Sequence, residues 1–338
     1  MNVFMIGGTG LLGSEAAAEL IRRGHTVSTL SLPPLPDGAM IPPEMKVTLG
    51  NYQDMTDEAL RAHLAGCEGF VFAAGVDERV EGTSPIYDFY ERHNITPLER
   101  LLRLAKESGV RHSVVCGSYF AYFAREWTNL ELTRWHPYIR SRVEQETMAL
   151  SFADDAFDVA VLELPYIFGT QPGRKPVWVF LIEIIRAMKS ATYYPRGGTA
   201  MITVKQAGQA IAGALERTRG GRCWPLGYYN LTWKAFLTMV HKHMGMAGRR
   251  VITVPKWAYR LGSRGIIRKQ RKAGQEGGLD VHHFADLQCA ETFIDKDLGC
   301  VPLGVQPDDL DAAIGQSVRL SLAILDGEVA SLVEMRGA

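Results

Sequence analysis

Residues 3–24, VFMIGGTGLLGSEAAAELIRRG, decide how this chain is read. Residues 3–6 are a short apolar run of strand character, glycines follow, and over residues 11–23 apolar side chains recur at three and four, the period of an amphipathic helix. Within this strand, turn and helix each glycine has its own task. Gly7 permits the tight turn, Gly10 lets a phosphate approach the backbone, and Gly13 permits close packing of helix against strand. The helix start offers free N–H groups and the positive end of the helix dipole to an anion. A lone glycine triplet is weak evidence. At the first strand-to-helix junction it predicts a dinucleotide site formed by Gly7, Thr9, Gly10, Leu11, Leu12 and Gly13, for NAD or NADP.

Working outward, strand-like runs at residues 26–30, 46–49, 69–73, 112–116 and 159–164 alternate with helical patterns at 57–65, 86–107 and 137–150. Such alternation predicts an α/β fold with a Rossmann-type, doubly wound parallel sheet and right-handed crossovers. Residues 32–43 hold five prolines and read as a loop. Pro97 predicts a kink or a late start in the helix over 86–107, with Asn94 near the bend to serve a freed backbone group. Around Pro165 the rhythm changes, and helical patterns at 204–217 and 232–244 dominate beyond it. Residues 1–170 therefore read as an NAD(P)-binding domain, rejoined at about 200–222, with 171–199 and 223–338 forming a smaller, mostly helical substrate-binding lobe.

The 338 residues carry no formal net charge, which gives no field to draw nucleic acid or an anionic membrane. Five scattered cysteines, with no CxxC pair, argue against a disulfide framework and a zinc site, so no metal is expected. No run reaches membrane-spanning length and no cationic leader precedes the first strand. A cytoplasmic protein acting on a small molecule is the expectation.

At the end of the second strand an acidic residue would bond the adenosine ribose, and a nearby Arg would accept the phosphate of NADP. Ser31 stands there instead, and residues 24–45 contain no Lys or Arg, so NAD versus NADP stays open. Ser31 contacts ribose or phosphate, or opens the proline loop.

Farther on, VVCGSYFAYF (residues 114–123) sets Ser118 just past a buried strand, and HPYIRSRVEQE (136–146) sets Tyr138 and Arg142 four apart on one helical face. With the glycine turn, these residues resemble the extended short-chain dehydrogenase/reductase family, the NAD-dependent epimerase/dehydratase and dihydroflavonol-reductase-like proteins. The resemblance runs over nearly the whole chain. LGNYQDM (49–55) is similar to that family's adenine-edge segment, FVFAAG (70–75) to its fourth strand, HNITPLERLL (93–102) to the following helix, and LPYIFG (164–169) to the segment passing the nicotinamide. ITVKQAGQAIAGALE (202–216) and FIDKDLGCVP (293–302) resemble later landmarks.

The resemblance implies that Ser31, Asn51, Tyr52, Ala73, Ala74, Gly75, Pro165, Tyr166 and Ile167 also touch the cofactor. It further implies that Tyr138 exchanges a proton with the substrate oxygen, that Ser118 bonds that oxygen, and that position 142 holds the nicotinamide ribose while favouring tyrosinate. A Tyr of ordinary pKa, about 10, needs a nearby cation to act as a base at neutral pH. The family has Lys at this position and the chain has Arg142, which keeps the charge but is planar and cannot relay a proton.

Other departures concern substrate. Asn51 and Gln206 replace frequent Asp residues, Glu163 replaces a frequent Arg, and Thr199 and its neighbours supply no cation where nucleotide-sugar epimerases often have Arg. A buried diphosphate without cations is unfavourable. The leading expectation is thus an NAD(P)-dependent oxidoreductase or epimerase acting on a carbonyl or hydroxyl group. The alternatives are a non-catalytic NAD(P)-binding sensor or scaffold, motivated by Arg142, and a nucleotide-sugar epimerase or dehydratase.

The stretch from Arg260 to Lys272 is basic and contains no acid; it reads as a solvated helix face or lobe connection, with phosphate, RNA or membrane binding as the rival readings. Adjacent His282 and His283 lack metal-ligand spacing. Trp127 and Trp135 roof the pocket or pack in the core. The helical patterns at 86–107 and 137–150 leave a homodimer open.

Overall fold

A computed structural model describes residues 1–35, 38–329 and 332–333. Seven strands make the central sheet: β1 (Asn2–Ile6), β2 (Thr26–Ser31), β3 (Lys46–Leu49), β4 (Gly69–Phe72), β5 (His112–Cys116), β6 (Asp158–Glu163) and β7 (Gly221–Pro225). They lie in the order β7-β6-β5-β4-β1-β2-β3, every neighbouring pair parallel. The order reverses between β1 and β4, where Ile6 pairs with Leu30 on one side and Phe72 on the other. Loops leaving β1 and β4 diverge there and open a crevice at the carboxyl ends of the strands.

Both faces of the sheet are apolar because helices cover both. On one face α1 (Leu11–Arg22) and α7 (Val204–Arg217) bury Ala16, Ala17, Leu20, Ala207, Ala210 and Ile211 against Val3, Met5 and Val71. Small residues let the two helices approach closely: a Cβ on Gly208 would meet the Glu15 carbonyl at 2.9 Å. On the other face α2 (Asp57–Leu64), α3 (Thr96–Glu107) and α5 (Pro137–Leu150) bury Leu60, Leu101, Leu102 and Ala149 against Phe4, Phe70 and Val115. A buried Leu removed from such a face costs about 2–5 kcal/mol.

The helical pattern over 86–107 is not one helix. It divides into a short turn, Tyr87–Tyr90, a wide π-type turn, Glu91–Ile95, and α3, with Pro97 in the first turn of α3. Proline is tolerated there because that N–H has no intrahelical partner. Asn94 does not cap its own helix. Its amide reaches out to bond the N–H and the carbonyl of Val76, at 2.8 and 3.2 Å.

Beyond Phe168 the bulk is helical: α6 (Val179–Ala187), α8 (Trp233–His243) and α10 (Leu310–Leu325) surround a core of Phe168, Trp178, Trp233 and Phe236, and α9 (Lys256–Ala273) lies outside it with Ser263 its one buried residue. Short strands that apolar periodicity does not signal are laced through it. Gly198–Thr203 pairs with Tyr166–Phe168, Tyr229–Thr232 and Glu291–Thr292, while Ala191–Pro195 pairs with Arg250–Val254. The prolines at 33, 34, 42 and 43 lie in irregular backbone, and Pro36 falls outside the described residues. Among the described residues no helix is long and apolar enough to cross a membrane, and the five cysteines are free thiols.

Candidate functional site

Gly7 follows β1 with φ +84°, and a Cβ there would lie 2.7 Å from the Ala73 carbonyl oxygen. Gly13 faces the turn itself, where a Cβ would run into the Gly7 carbonyl. Gly10 differs: a Cβ would meet only the Gly7 oxygen, at 3.1 Å, so space in front of it is open. Gly10 is also the N-cap of α1, makes no side-chain cap, and no acid stands in the first turn. Leu11 and Leu12 follow with N–H groups that have no intrahelical acceptor, an arrangement suited to an anion.

Ser31 ends β2 and is buried. The Thr29 hydroxyl donates to the Met5 carbonyl at 3.0 Å and accepts from the Gly8 N–H at 2.9 Å. It also lies 3.2 Å from the Ser31 hydroxyl, a contact in which either oxygen can be the donor. Ser31 in turn accepts from the Thr9 N–H at 3.3 Å. Ser31 thus ties the turn to β2.

Asn51 caps a short 3-10 turn, accepting from Gln53 N–H at 3.1 Å and donating to Asp54 at 2.9 Å, while Tyr52 is buried edge-on against Phe72. Ala73, Ala74 and Gly75 continue from β4, with Gly75 exposed at φ +123° and Asn94 close beside it.

Ser118 is the N-cap of α4 (Tyr119–Glu126), accepting from the Phe120 N–H at 3.4 Å. Tyr138 lies in the first turn of α5, 4% exposed, with Tyr90 and Phe120 edge-on to its ring. Arg142, one turn on, places its guanidinium carbon 5.1 Å from the centre of that ring. Its fork is held at both tips, donating to Gln145 Oε1 at 2.8 Å and to the Val76 carbonyl at 3.0 Å, whereas Nε is buried without a partner. Burial pushes the Tyr138 hydroxyl above its ordinary value. The Arg142 charge opposes this, the Glu78 carboxylate adds to it, and bonding from Ser118 and Arg142 pulls it down. Glu78 is itself raised, first by burial and then by Asp77.

The structure therefore brings Ser118, Tyr138 and Arg142 together. Pro165, Tyr166 and Ile167 lead into the strand Tyr166–Phe168, where the Tyr166 ring stands 6.1 Å from Tyr119 and 5.6 Å from Trp233. Thr199 is fully buried and bonds the Tyr119 hydroxyl at 2.9 Å. Gln206 closes a capping box with Thr203 at the start of α7, a structural task. Glu163, the residue that reverses the family's charge, is answered by Arg125 at 2.5 Å, and Arg125 also pairs with Glu146 at 2.5 Å.

A crossing segment roofs the start of α5. Gln275–Gly277 pairs with Glu81–Thr83, the Tyr138 N–H donates to the Gly278 carbonyl at 3.0 Å, and the Asp280 N–H donates to His136 Nδ1 at 3.0 Å. Burial holds His136 down at about 4. Trp135 stacks on His283 at 3.8 Å, and Trp127 packs on Phe123. Among the described residues no group of three or more His, Cys, Asp or Glu is gathered to hold a metal.

Residues that sequence reasoning missed are Gln171 and Arg174, which donate to the Thr9 carbonyl at 3.1 and 3.2 Å, and Gln145, which braces Arg142 and the Asn94 carbonyl. No local pattern marks them, because each is defined by a partner far away in sequence.

A profile described as the NAD dependent epimerase/dehydratase family matches residues 3–215. The chain belongs to this family. No curated protein sequence matches it. Among solved structures it is similar to gox2253 (TM-score 0.73, 19% identity, 97% of this chain and 99% of that one). It is also similar to MoeE5 in complex with UDP-glucuronic acid and NAD (0.64, 17%, 96% and 100%). A third likeness is to PA4631, a nucleoside-diphosphate-sugar epimerase from Pseudomonas aeruginosa (0.66, 15%, 97% and 98%). At these identities the likeness establishes the fold. The family is NAD dependent, which agrees with the dinucleotide turn read from the glycines.

Proposed function

We propose that this chain is an NAD-dependent oxidoreductase or epimerase acting at a carbonyl or hydroxyl carbon of a small molecule, with Tyr138 as acid and base. The observation that carries the reading is the meeting of Ser118, Tyr138 and Arg142 at the carboxyl end of the sheet, beside the glycine turn.

The turn fits the cofactor, because Gly10 leaves open space before an uncapped, acid-free helix start. Gly7, Thr9, Gly10, Leu11, Leu12 and Gly13 would hold the pyrophosphate. Ser31 would take a ribose hydroxyl. Asn51 and Tyr52 would border the adenine, and Ala73, Ala74, Gly75, Pro165, Tyr166 and Ile167 would line the path to the nicotinamide. When bound, NAD supplies the acceptor and donor of hydride. The protein supplies the proton: Tyr138 Oη takes it from the substrate hydroxyl on oxidation and returns it on reduction. Ser118 holds the same substrate oxygen, and Arg142 stabilises the phenolate.

Family membership, together with one similar structure holding UDP-glucuronic acid and NAD and another that is a nucleoside-diphosphate-sugar epimerase, favours a second reading, epimerisation or dehydration of a nucleotide sugar. Against it, Thr199 is buried against Tyr119 and offers nothing to a diphosphate. Parallel assays of NADH oxidation with carbonyl compounds and of UDP-sugar interconversion separate the two. In either, Tyr138→Phe should cut turnover by about 100-fold or more. Turnover equal to the parent would end the Tyr138 mechanism.

A further inference from the structure

Residues 171–174 lie against the glycine turn, and what they bring there is a cation that the proline loop lacks. Gln171 is buried, donates to the Thr9 carbonyl at 3.1 Å, and leaves its own Oε1 buried without a partner. Arg174 donates from Nε to the same carbonyl at 3.2 Å, and among the described residues its guanidinium makes no ion pair. Arg125, also half out of solvent, pairs with two carboxylates. A half-buried cation held only by a carbonyl is poorly compensated, and its two free nitrogens form a fork that matches phosphate oxygens. Thr9, which it grips, stands one residue before the N-cap of α1.

We infer that Arg174, on a loop that Gln171 holds against the turn, completes an anion subsite with the start of α1 and binds the pyrophosphate of the dinucleotide from across the crevice. This deepens the cofactor reading and rests on it. The adenosine 2′-phosphate is the less suitable occupant, because residues 24–45 place no Lys or Arg beside Ser31 to pair with it. Arg174 would thus serve to retain the cofactor, and would do so for NAD and NADP alike.

Binding of NADH, NADPH, ADP-ribose and adenosine to the full chain tests this, with Arg174→Gln, Arg174→Ala and Arg174→Lys beside the parent. Gln can still donate to the Thr9 carbonyl but carries no charge, so it separates loss of charge from loss of the loop. Arg174→Gln should weaken NADH and ADP-ribose about 10-fold or more while leaving adenosine unchanged, with partial recovery in Arg174→Lys. The variant should also show a shallower salt dependence. Equal NADH affinity in parent and Arg174→Gln would overturn the inference. So would a loss confined to NADPH, which would move Arg174 to the 2′-phosphate. Binding of NADH by the parent reports on the cofactor site itself, and the ratio of variant to parent reports on Arg174.

Discussion

Arg142 shows how one substitution in a family pattern is absorbed. Its guanidinium bridges Gln145 and the Val76 carbonyl while standing over the Tyr138 ring, a span that a single ammonium cannot reproduce. The charge opposes what burial does to Tyr138. Removing it should therefore raise the pH at which Tyr138 becomes a base. In the oxidation direction Arg142→Met should move the limb that rises with pH by about one unit or more toward alkaline pH, and Arg142→Lys should return part of that shift. Lys would leave either Gln145 Oε1 without its donor, at a cost of about 1–3 kcal/mol in stability, or the Val76 carbonyl with Asn94 alone. A pH–rate profile unmoved in Arg142→Met would show that the cation does not act on Tyr138. The glycines and Ser118 were legible in the sequence because each sits in a short motif at the end of a strand, and Tyr138 and Arg142 because they stand four apart on one helical face. Arg174 and Gln171 were not, because their partner Thr9 is far away along the chain.

Between α4, α5 and β6 the elements meet through two carboxylates and one guanidinium. Glu146 and Glu163 are buried, Arg125 reaches both, and Glu146 Oε1 and Glu163 Oε2 have no further partner. Burial, with mutual repulsion second for Glu146, pushes Glu146 up to about 8, and burial pushes Glu163 up to about 7 against the pull of Arg125. Raised carboxyls are protonated more readily in the folded chain than in the unfolded one. Their contribution to stability is full below about pH 4.5 and is lost as pH rises through about 7 to 8. Thermal midpoints of the parent should fall across that window, and Glu163→Gln, which keeps the Glu146–Arg125 pair, should flatten the fall. Equal slopes in the two proteins would show that Glu163 does not carry the fall. Periodicity located α5 and β6, but not that a reversed charge at 163 is matched by Arg125 on α4. The same limit explains the helix over 86–107: Pro97 announced a break, whereas the wide turn and the reach of Asn94 to Val76 depend on a loop that only the folded sheet brings near.

At the scale of the whole molecule, the chain from 275 to 286 returns over the start of α5 and is joined to it by two backbone donors and one neutral imidazole. Asp280 N–H points at His136 Nδ1, which must be unprotonated to accept. Burial comes first among the forces holding His136 down at about 4, with Asp280 pulling the other way. A histidine lowered in the folded state contributes stability above its unfolded value of about 6.5, and that contribution is lost as pH falls from there through about 4. Acid should accordingly loosen the returning segment from α5. Hydrogen exchange followed from pH 6.5 to 4.5, corrected for intrinsic rates, should show the Tyr138 and Asp280 amides losing protection together. His136→Asn keeps an acceptor without a titrating ring and should lose less protection over the same interval, although His93 and His241 are also lowered and remain in both proteins. The difference between the two proteins therefore isolates His136. If both lose protection equally, the junction is held by the Tyr138–Gly278 bond and its packing, and the imidazole is a passive acceptor.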